Sequence, residues 1–555
     1  MAGHRTFTGV MRERAARLPE RDALVVVPGH GTDAAPRTLT YGRLDARARR
    51  LAAWLTEYGA AGQRVLVAAA APDLFAVGLL GCLYAGAVAV PVPPPGGARL
   101  DGRVAGVVRD ARPCLALTCA DRAAELSRTL ARTGHGSVPC LAVDAVPAGE
   151  PVEPREPDPD SVALLQYTSG STAEPRGVAV SHANLIANQQ ALQAALGTTR
   201  ASRPGGWLPP HHDMGLVGQL LHPLWLGATS VVMSPTTFVR RPVAWLETIS
   251  RYRLTVSAAP DFAYELCARQ ATDEDLAALD LSCWQSAVSG GEPVRASTLR
   301  AFAERFAPAG FRADAFTVGY GLAESTLLVC AGRPAHSAAA RRASTPPGGT
   351  VSCGQPVGCE VRVVDPETRA VLPDGATGEV WVRGAGVARG YWDRVRESAD
   401  VFGAVTADGE GGFLRTGDLG LLADGELFVG GRLKDVLVVA GRSLHPHELE
   451  HSVRQISALF GPGVAFTLPG QREQVVLVQE LRARQARDLD LTDLARRVRR
   501  RLDEEFAVTG GGLVLVRPGT VRRTTSGKVR RSATRRLFLR GEIDALYEEI
   551  PARAA

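Results

Sequence analysis

The chain has 555 residues, enough for two to four domains around a sizeable core. Its 45% hydrophobic and 22% charged residues are ordinary for a soluble globular protein. The net charge of +6 is diluted along the whole length and no recognition module accompanies it, which argues against a nucleic-acid-binding protein.

Residues 1–20 alternate charges with small side chains and hold no apolar run, so no secretory signal is read there. A strand is predicted over 64–70, a helix over 74–84 and a strand over 87–92. The uncharged run 74–92 approaches the length of a membrane span. Its Gly78, Gly81 and Gly86, the alternation of Val88, Val90 and Val92, and Pro91 and Pro93 instead read as a buried helix, a glycine stop and a short strand. Nine scattered cysteines form no CxxC pair and no metal spacing, which fits reduced thiols in a cytoplasmic protein. A Pro- and acid-rich stretch, 147–161, is predicted to be an exposed connection leading into an apolar strand over 162–167.

After that strand comes Tyr167-Thr168-Ser169-Gly170-Ser171-Thr172-Ala173-Glu174-Pro175-Arg176-Gly177-Val178. Four hydroxyls and a glycine in one turn offer donors to phosphate oxygens, although no GxxxxGK[ST] loop occurs in the chain. A second strand is predicted over 177–180, with Ser181 capping a helix over 184–196. Residues 331–350, rich in Ala, Arg, Ser, Pro and Gly, are predicted to be a mobile loop. Near 432–435 a turn precedes an apolar strand over 436–440, and a smaller arginine-rich unit follows, helical over 496–505 and frayed over 551–555.

Of the 64 Lys+Arg only two are lysines, Lys434 and Lys528. A lysine that survives such a bias marks a place where a compact ammonium is needed and a planar fork does not fit. Lys528 lies in a basic tail with Arg522, Arg523, Arg530 and Arg531.

The segment 167–178 resembles the phosphate loop of the adenylate-forming superfamily of acyl- and aryl-CoA synthetases, peptide-synthetase adenylation domains and luciferase. Six further motifs of that superfamily follow in order. They are Gly290-Gly291-Glu292-Pro293, Tyr320-Gly321-Leu322-Ala323-Glu324, Gly378-Glu379-Val380-Trp381, Arg415-Thr416-Gly417-Asp418, Gly431-Arg432-Leu433-Lys434-Asp435 and Ser526-Gly527-Lys528. Within the superfamily the chain is most similar to fatty acyl-AMP ligases, through 91–95 (Pro-Val-Pro-Pro-Pro), Gln166, Trp207-Leu208-Pro209-Pro210-His211-His212-Asp213-Met214-Gly215 and Pro260-Asp261-Phe262-Ala263-Tyr264.

The resemblance implies an α/β fold with a large N-terminal adenylate-forming domain, 1–433, and a small mobile α+β C-terminal domain, 434–555, hinged at Lys434. It implies ATP-dependent activation of a carboxylic acid, a fatty acid, to acyl-AMP, with Mg²⁺, and transfer to the phosphopantetheine thiol of an acyl carrier protein. It assigns the catalytic charge to Lys528, with His212 between the acyl and phosphate sites and the metal at Glu324. Nucleotide binding falls to Thr168, Ser169, Gly170, Ser171, Thr172, Arg176, Gly290, Gly291, Glu292, Tyr320, Gly321, Leu322, Asp418 and Arg432. The acyl pocket falls to Trp207, His212, Asp213, Met214 and Gly215. Two departures stand out: Ala173 and Arg176 replace the glycine and lysine of many relatives, and the segment from Glu324 to Val351 is shorter than the insertion these ligases carry. That insertion is associated with excluding CoA, so an acyl- or aryl-CoA synthetase remains the alternative.

Overall fold

The structure, a computed structural model, describes residues 4–29, 34–95, 98–147, 149–167, 175–333, 351–439, 442–468, 474–482, 490–508, 510–523 and 529–550. Contacts among the described residues divide the chain into two compact units, the first within 1–168, 174–416 and 420–429, the second within 417–419 and 430–555.

The larger unit is built on a six-stranded sheet in the order Cys140–Ala142, Leu115–Thr118, Arg64–Val67, Val88–Pro91, Val162–Tyr167 and Gly177–Ser181. All neighbours are parallel except the last pair. Alternate side chains serve opposite faces, as strand geometry requires. Val65 and Val67 pack with the helices Tyr41–Glu57 and Pro72–Tyr84, while Leu66 packs with Val104, Val107 and Val108 of Ala98–Ala111. The run 74–92 is therefore core: every residue from Leu74 to Tyr84 is buried, and no helix among the described residues is long and apolar enough to cross a membrane. A five-stranded sheet follows, in the order Val256–Ala259, Ser286–Gly290, Phe316–Gly321, Leu328–Gly332 and Gln355–Pro356, the first three strands parallel. Its core is aromatic, with Trp245, Trp284, Tyr264, Phe302 and Phe316 set edge to face at 5.1–6.1 Å.

The smaller unit holds a four-stranded sheet, Phe460–Leu468, Gln474–Leu481, Gly512–Val516 and Ala545–Glu549. Helices Pro446–Arg454 and Leu491–Phe506 cover one face, and Phe538 of Arg531–Leu539 packs on the other. This is the α+β arrangement expected.

Several boundaries differ from the sequence reading. Ser181 caps its helix through a reciprocal capping box with Asn184, but the helix begins at His182. The predicted helix over 496–505 starts earlier, at Leu491, because Asp490 accepts from the Thr492 and Asp493 amides. The loop expected over 331–350 is not all loop: Ala331 and Gly332 pair with Gly319 and Val318 as the end of a strand. Residues 334–350 and the tail 551–555 lie outside the described residues.

Candidate active site

In an open α/β sheet a ligand sits beyond the carboxyl ends of the parallel strands. Val162–Tyr167 ends there and runs into 168–174, so Thr168, Ser169, Gly170, Ser171 and Thr172 lie outside the described residues. Ser286–Gly290 and Phe316–Gly321 end side by side, with Gly290 paired to Gly319. A Cβ on Gly290 would stand 2.4 Å from the Gly319 carbonyl oxygen, and Gly291 has φ +78°, so both positions need glycine. Tyr320 and Leu322 are buried beside them. Glu292 has a local task, because its Oε1 accepts from the Phe262 amide (2.7 Å) at the start of helix Asp261–Gln270. Buried Asp261 beside it accepts from Arg295 and Thr298, and burial, opposed by Arg295 and reinforced by Glu292, lifts its carboxyl to about 7.

The motif 207–215 forms one folded piece. Trp207 is stacked on Phe238 at 3.8 Å and meets Trp245 and Phe262 edge-on. The Leu208 amide donates to Gln219 Oε1, and Gln166 Nε2 donates to the His211 carbonyl (2.9 Å). Gly215 is the second residue of a π-helical segment, Met214–Leu221, a form frequent at functional sites. A Cβ on Gly215 would lie 2.1 Å from the Pro209 carbonyl oxygen, so glycine alone lets the segment fold back on Leu208-Pro209. Asp213 caps that segment through the Met214 amide (2.8 Å), and the His212 carbonyl accepts from Leu216. His212 is half-buried, its ring 4.8 Å from that of His211.

Glu324 and Arg176 are brought together by a residue that no motif named. The Tyr391 hydroxyl donates to Glu324 Oε1 (2.9 Å), while the Arg176 guanidinium lies 5.4 Å over the tyrosine ring and pairs with Glu397 at 2.7 Å. Burial and the nearby Glu324 carboxylate hold the phenol well above its ordinary pKa, so it stays a donor. The turn that carries Glu324 is over-determined. Thr326 has φ 64° and ψ −56° with Leu327 N donating to Ser325 O at 2.7 Å, a strained γ-turn on a β-branched residue. Thr326 Oγ1 is anchored on the Gly386 carbonyl, and buried Asn188 brackets Ser325 and Leu328.

The motifs at 378–381 and 415–418 lock together. Arg415 pairs with buried Glu379 at 2.8 Å, and Glu379 also accepts from Trp381 Nε1. In the smaller unit Asp418, almost fully buried, pairs with Arg432 at 3.2 Å. Lys434 is exposed in the turn Leu433–Asp435. Lys528 lies outside the described residues, but the residues on both sides of 524–528 are described. The Arg530 amide donates to the Arg522 carbonyl (2.7 Å), and Arg523 and Val529 form an antiparallel bridge. Glu480 holds the approach by accepting from the Gly519 and Val521 amides. Arg531 corrects the reading of a plain basic tail. It is half-buried between Asp435 (3.2 Å) and Glu450 (2.7 Å), which ties the turn at Lys434 to the residues just past Lys528.

The family model for AMP-binding enzymes matches residues 11–392. The chain belongs to the AMP-binding enzymes. Within them its similarity is to the fatty acyl-AMP ligases. The medium-chain fatty acid–acyl-carrier-protein ligase JamA of Moorena producens is 38% identical over 538 residues, 91% of each chain. The 4-hydroxyphenylalkanoate adenylyltransferase of Mycobacterium tuberculosis is 35% identical, covering 98% of this chain and 93% of its own. The crystal structure of a Legionella pneumophila fatty acyl-adenylate ligase with acyl adenylate and pyrophosphate is 33% identical, with a TM-score of 0.73 over 97% of this chain and 96% of that one.

For this AMP-binding enzyme the sequence reading missed Tyr391, Asn188 and Thr326. Tyr391 is 67 positions from Glu324 and reaches it because the segment around Gly390 pairs with Ala179, a few residues past 168–174. The available signal was Arg176 itself: a planar cation in place of lysine suits a ring face and a carboxylate at once.

Proposed function

We propose that this enzyme uses ATP to convert a fatty acid to its acyl-AMP with release of pyrophosphate, then passes the acyl group to the phosphopantetheine thiol of an acyl carrier protein. The observation that carries this reading is the identity to JamA over nine-tenths of both chains, since that relative's name states a fatty acid joined to a carrier protein. The geometry supports it. A carboxylate is already an anion and needs no general base, so catalysis is the task of bringing two anions together and stabilising the α-phosphorus in line with pyrophosphate. Thr168, Ser169, Ser171 and Thr172, with Gly170 freeing the backbone, hold phosphate oxygens, and Arg176 closes that loop. Gly290, Gly291, Gly321 and Leu322 let the adenine lie against backbone beside Tyr320. Asp418, oriented by Arg432, takes the ribose hydroxyls. Trp207, His212, Asp213, Met214 and Gly215 shape the entry of the acid. Lys528 supplies a point charge between the acyl oxygen and the α-phosphate, and the unit from Lys434 onward turns at that residue between the two half-reactions.

Among the described residues no three acidic, His or Cys groups gather to cage a metal. Glu324 alone fits Mg²⁺, which takes one or two carboxylates and fills its remaining positions with phosphate oxygens and water. The ion would neutralise charge on the phosphates. A hydroxyphenyl-bearing acid is the second reading. It is favoured by Trp207 Nε1, a buried donor without a hydrogen-bond partner among the described residues, which a hydroxyl on the acid would satisfy. Pyrophosphate exchange against acids from acetate to palmitate, with hydroxyphenylalkanoic and amino acids alongside, tests both. Exchange strongest with aliphatic acids of eight or more carbons supports the first reading, strongest with the aryl acids the second, and exchange confined to amino acids overturns both.

A further inference from the structure

The hydroxyl of Tyr391 donates to Glu324 Oε1, and Arg176 also hydrogen-bonds to the phenol. Its ring has two neighbours of different kinds: the Arg176 guanidinium over its face and Phe402 edge-on at 5.1 Å. The backbone is fixed as well, since the Tyr391 amide donates to Ser398 Oγ (2.9 Å) and the Ala388 amide donates to the Glu324 carbonyl (2.9 Å). A phenol so held has little freedom, and the carboxylate it donates to inherits that restraint. The other end of the same carboxylate rests on the strained Thr326 turn, which the protein keeps in place with Asn188 and the Gly386 carbonyl. Strain maintained at such expense accompanies groups whose orientation matters.

We propose that Tyr391 is a positioning residue. It engages one oxygen of Glu324, turns the other toward the metal-bearing phosphates, and links that carboxylate to the end of the phosphate loop through Arg176. This rests on the role of Glu324 proposed above. It also accounts for arginine in place of lysine at position 176: the planar fork covers the ring while its edge pairs with Glu397, two tasks that a lysine ammonium does not perform together.

The test is Tyr391→Phe, which removes one oxygen and keeps the ring under Arg176 and against Phe402. Mn²⁺ affinity is measured by EPR with ATP present and no acid, beside the Mg²⁺ dependence of pyrophosphate exchange. Loss of an outer hydrogen-bond partner typically weakens a metal site about 10–100-fold. We expect Mn²⁺ affinity to fall about tenfold, at the low end of that range, the Mg²⁺ requirement to rise in proportion, and the KM for the acid to stay unchanged. Glu397→Gln, which touches neither Glu324 nor the hydroxyl, should give a smaller loss of the same sign, and it carries the test if the phenylalanine variant does not fold. Exchange that slows with Mn²⁺ affinity and Mg²⁺ dependence unchanged would make Tyr391 a packing residue and overturn the proposal. Because Mn²⁺ binding with ATP needs no acid, it separates this outcome from failure of the assigned reaction, which would show as no acid-dependent exchange in the wild type.

Discussion

The two units hold their candidate groups by different means. In the larger, backbone and neutral side chains carry much of the geometry, beside the ion pairs Arg176–Glu397 and Arg415–Glu379: a phenol donates to Glu324, Asn188 brackets its turn, and carbonyl oxygens 2.1–2.4 Å from would-be Cβ atoms demand Gly215 and Gly290. In the smaller, ion pairs do so: Asp418 with Arg432, and Arg531 between Asp435 and Glu450. Charge is divided in the same way. Residues 430–555 hold 23 Lys+Arg against 15 Asp+Glu, a net +8, whereas residues 1–429 hold 41 against 43, a net −2. A nearly neutral unit suits placing substrates, and a basic one suits meeting phosphates and an acidic carrier.

The sharpest way to break that comparison is to remove charge from the basic unit. Lys528→Ala should lower acyl-AMP formation by about 10²–10³, the cost of one transition-state donor, with the circular dichroism spectrum unchanged. Lys528→Arg should not restore the rate, because a planar fork replaces a point charge. Next in size, Asp418→Ala should raise the KM for ATP about 10–100-fold, the loss of hydrogen bonds to a charged acceptor, with much less effect on the KM for the acid. Steady-state kinetics with each substrate varied in turn would show whether the Asp418–Arg432 pair serves nucleotide at all.

In the neutral unit the corresponding test is steric. Gly215→Ala pushes a methyl onto the Pro209 carbonyl, a backbone atom that cannot swing aside, and overpacking of this kind costs about 1–3 kcal/mol. Thermal melting should register that loss, together with a raised KM for the acid as the segment bearing His212 shifts.

The smallest expected effect is a pH slope. Burial holds His222 neutral in the folded state, its pKa lowered to about 3, while Gln189 and Thr198 engage its two nitrogens. Below about pH 6.5 the unfolded chain takes up a proton at this histidine that the folded chain does not, so its contribution to stability is present above pH 6.5 and lost as pH falls toward 3. His222→Gln should therefore flatten the fall in stability between pH 6.5 and 4, by at most about 1.4 kcal/mol per pH unit. An unchanged slope would place the acid sensitivity elsewhere.

Much of the scaffold was legible because short-range pattern determines it. The apolar run 162–167, the Ser181 cap and the helix–stop–strand reading of 74–92 each depend on neighbours within a few positions. The motif residues were legible through chemistry that needs particular side chains in a fixed order. What escaped joins distant positions. Arg531 looked like one more tail cation, yet its partners lie 81 and 96 positions away. The γ-turn at Thr326 left no mark in the sequence, since a β-branched residue is a poor candidate for φ 64° and is held there by Gly386 and its own tight turn.

The central claim is that the acyl group goes to a carrier protein, and parallel single-turnover reactions test it most directly. Purified enzyme is loaded with ATP, Mg²⁺ and a fatty acid, then mixed with a phosphopantetheinylated carrier protein or with CoA, and the products are followed by mass spectrometry at low and high salt. The account predicts rapid acyl-carrier formation that slows as salt screens the basic unit, with little acyl-CoA at either ionic strength. Acyl-CoA appearing as fast as acyl-carrier would contradict it and make the protein an acyl-CoA synthetase.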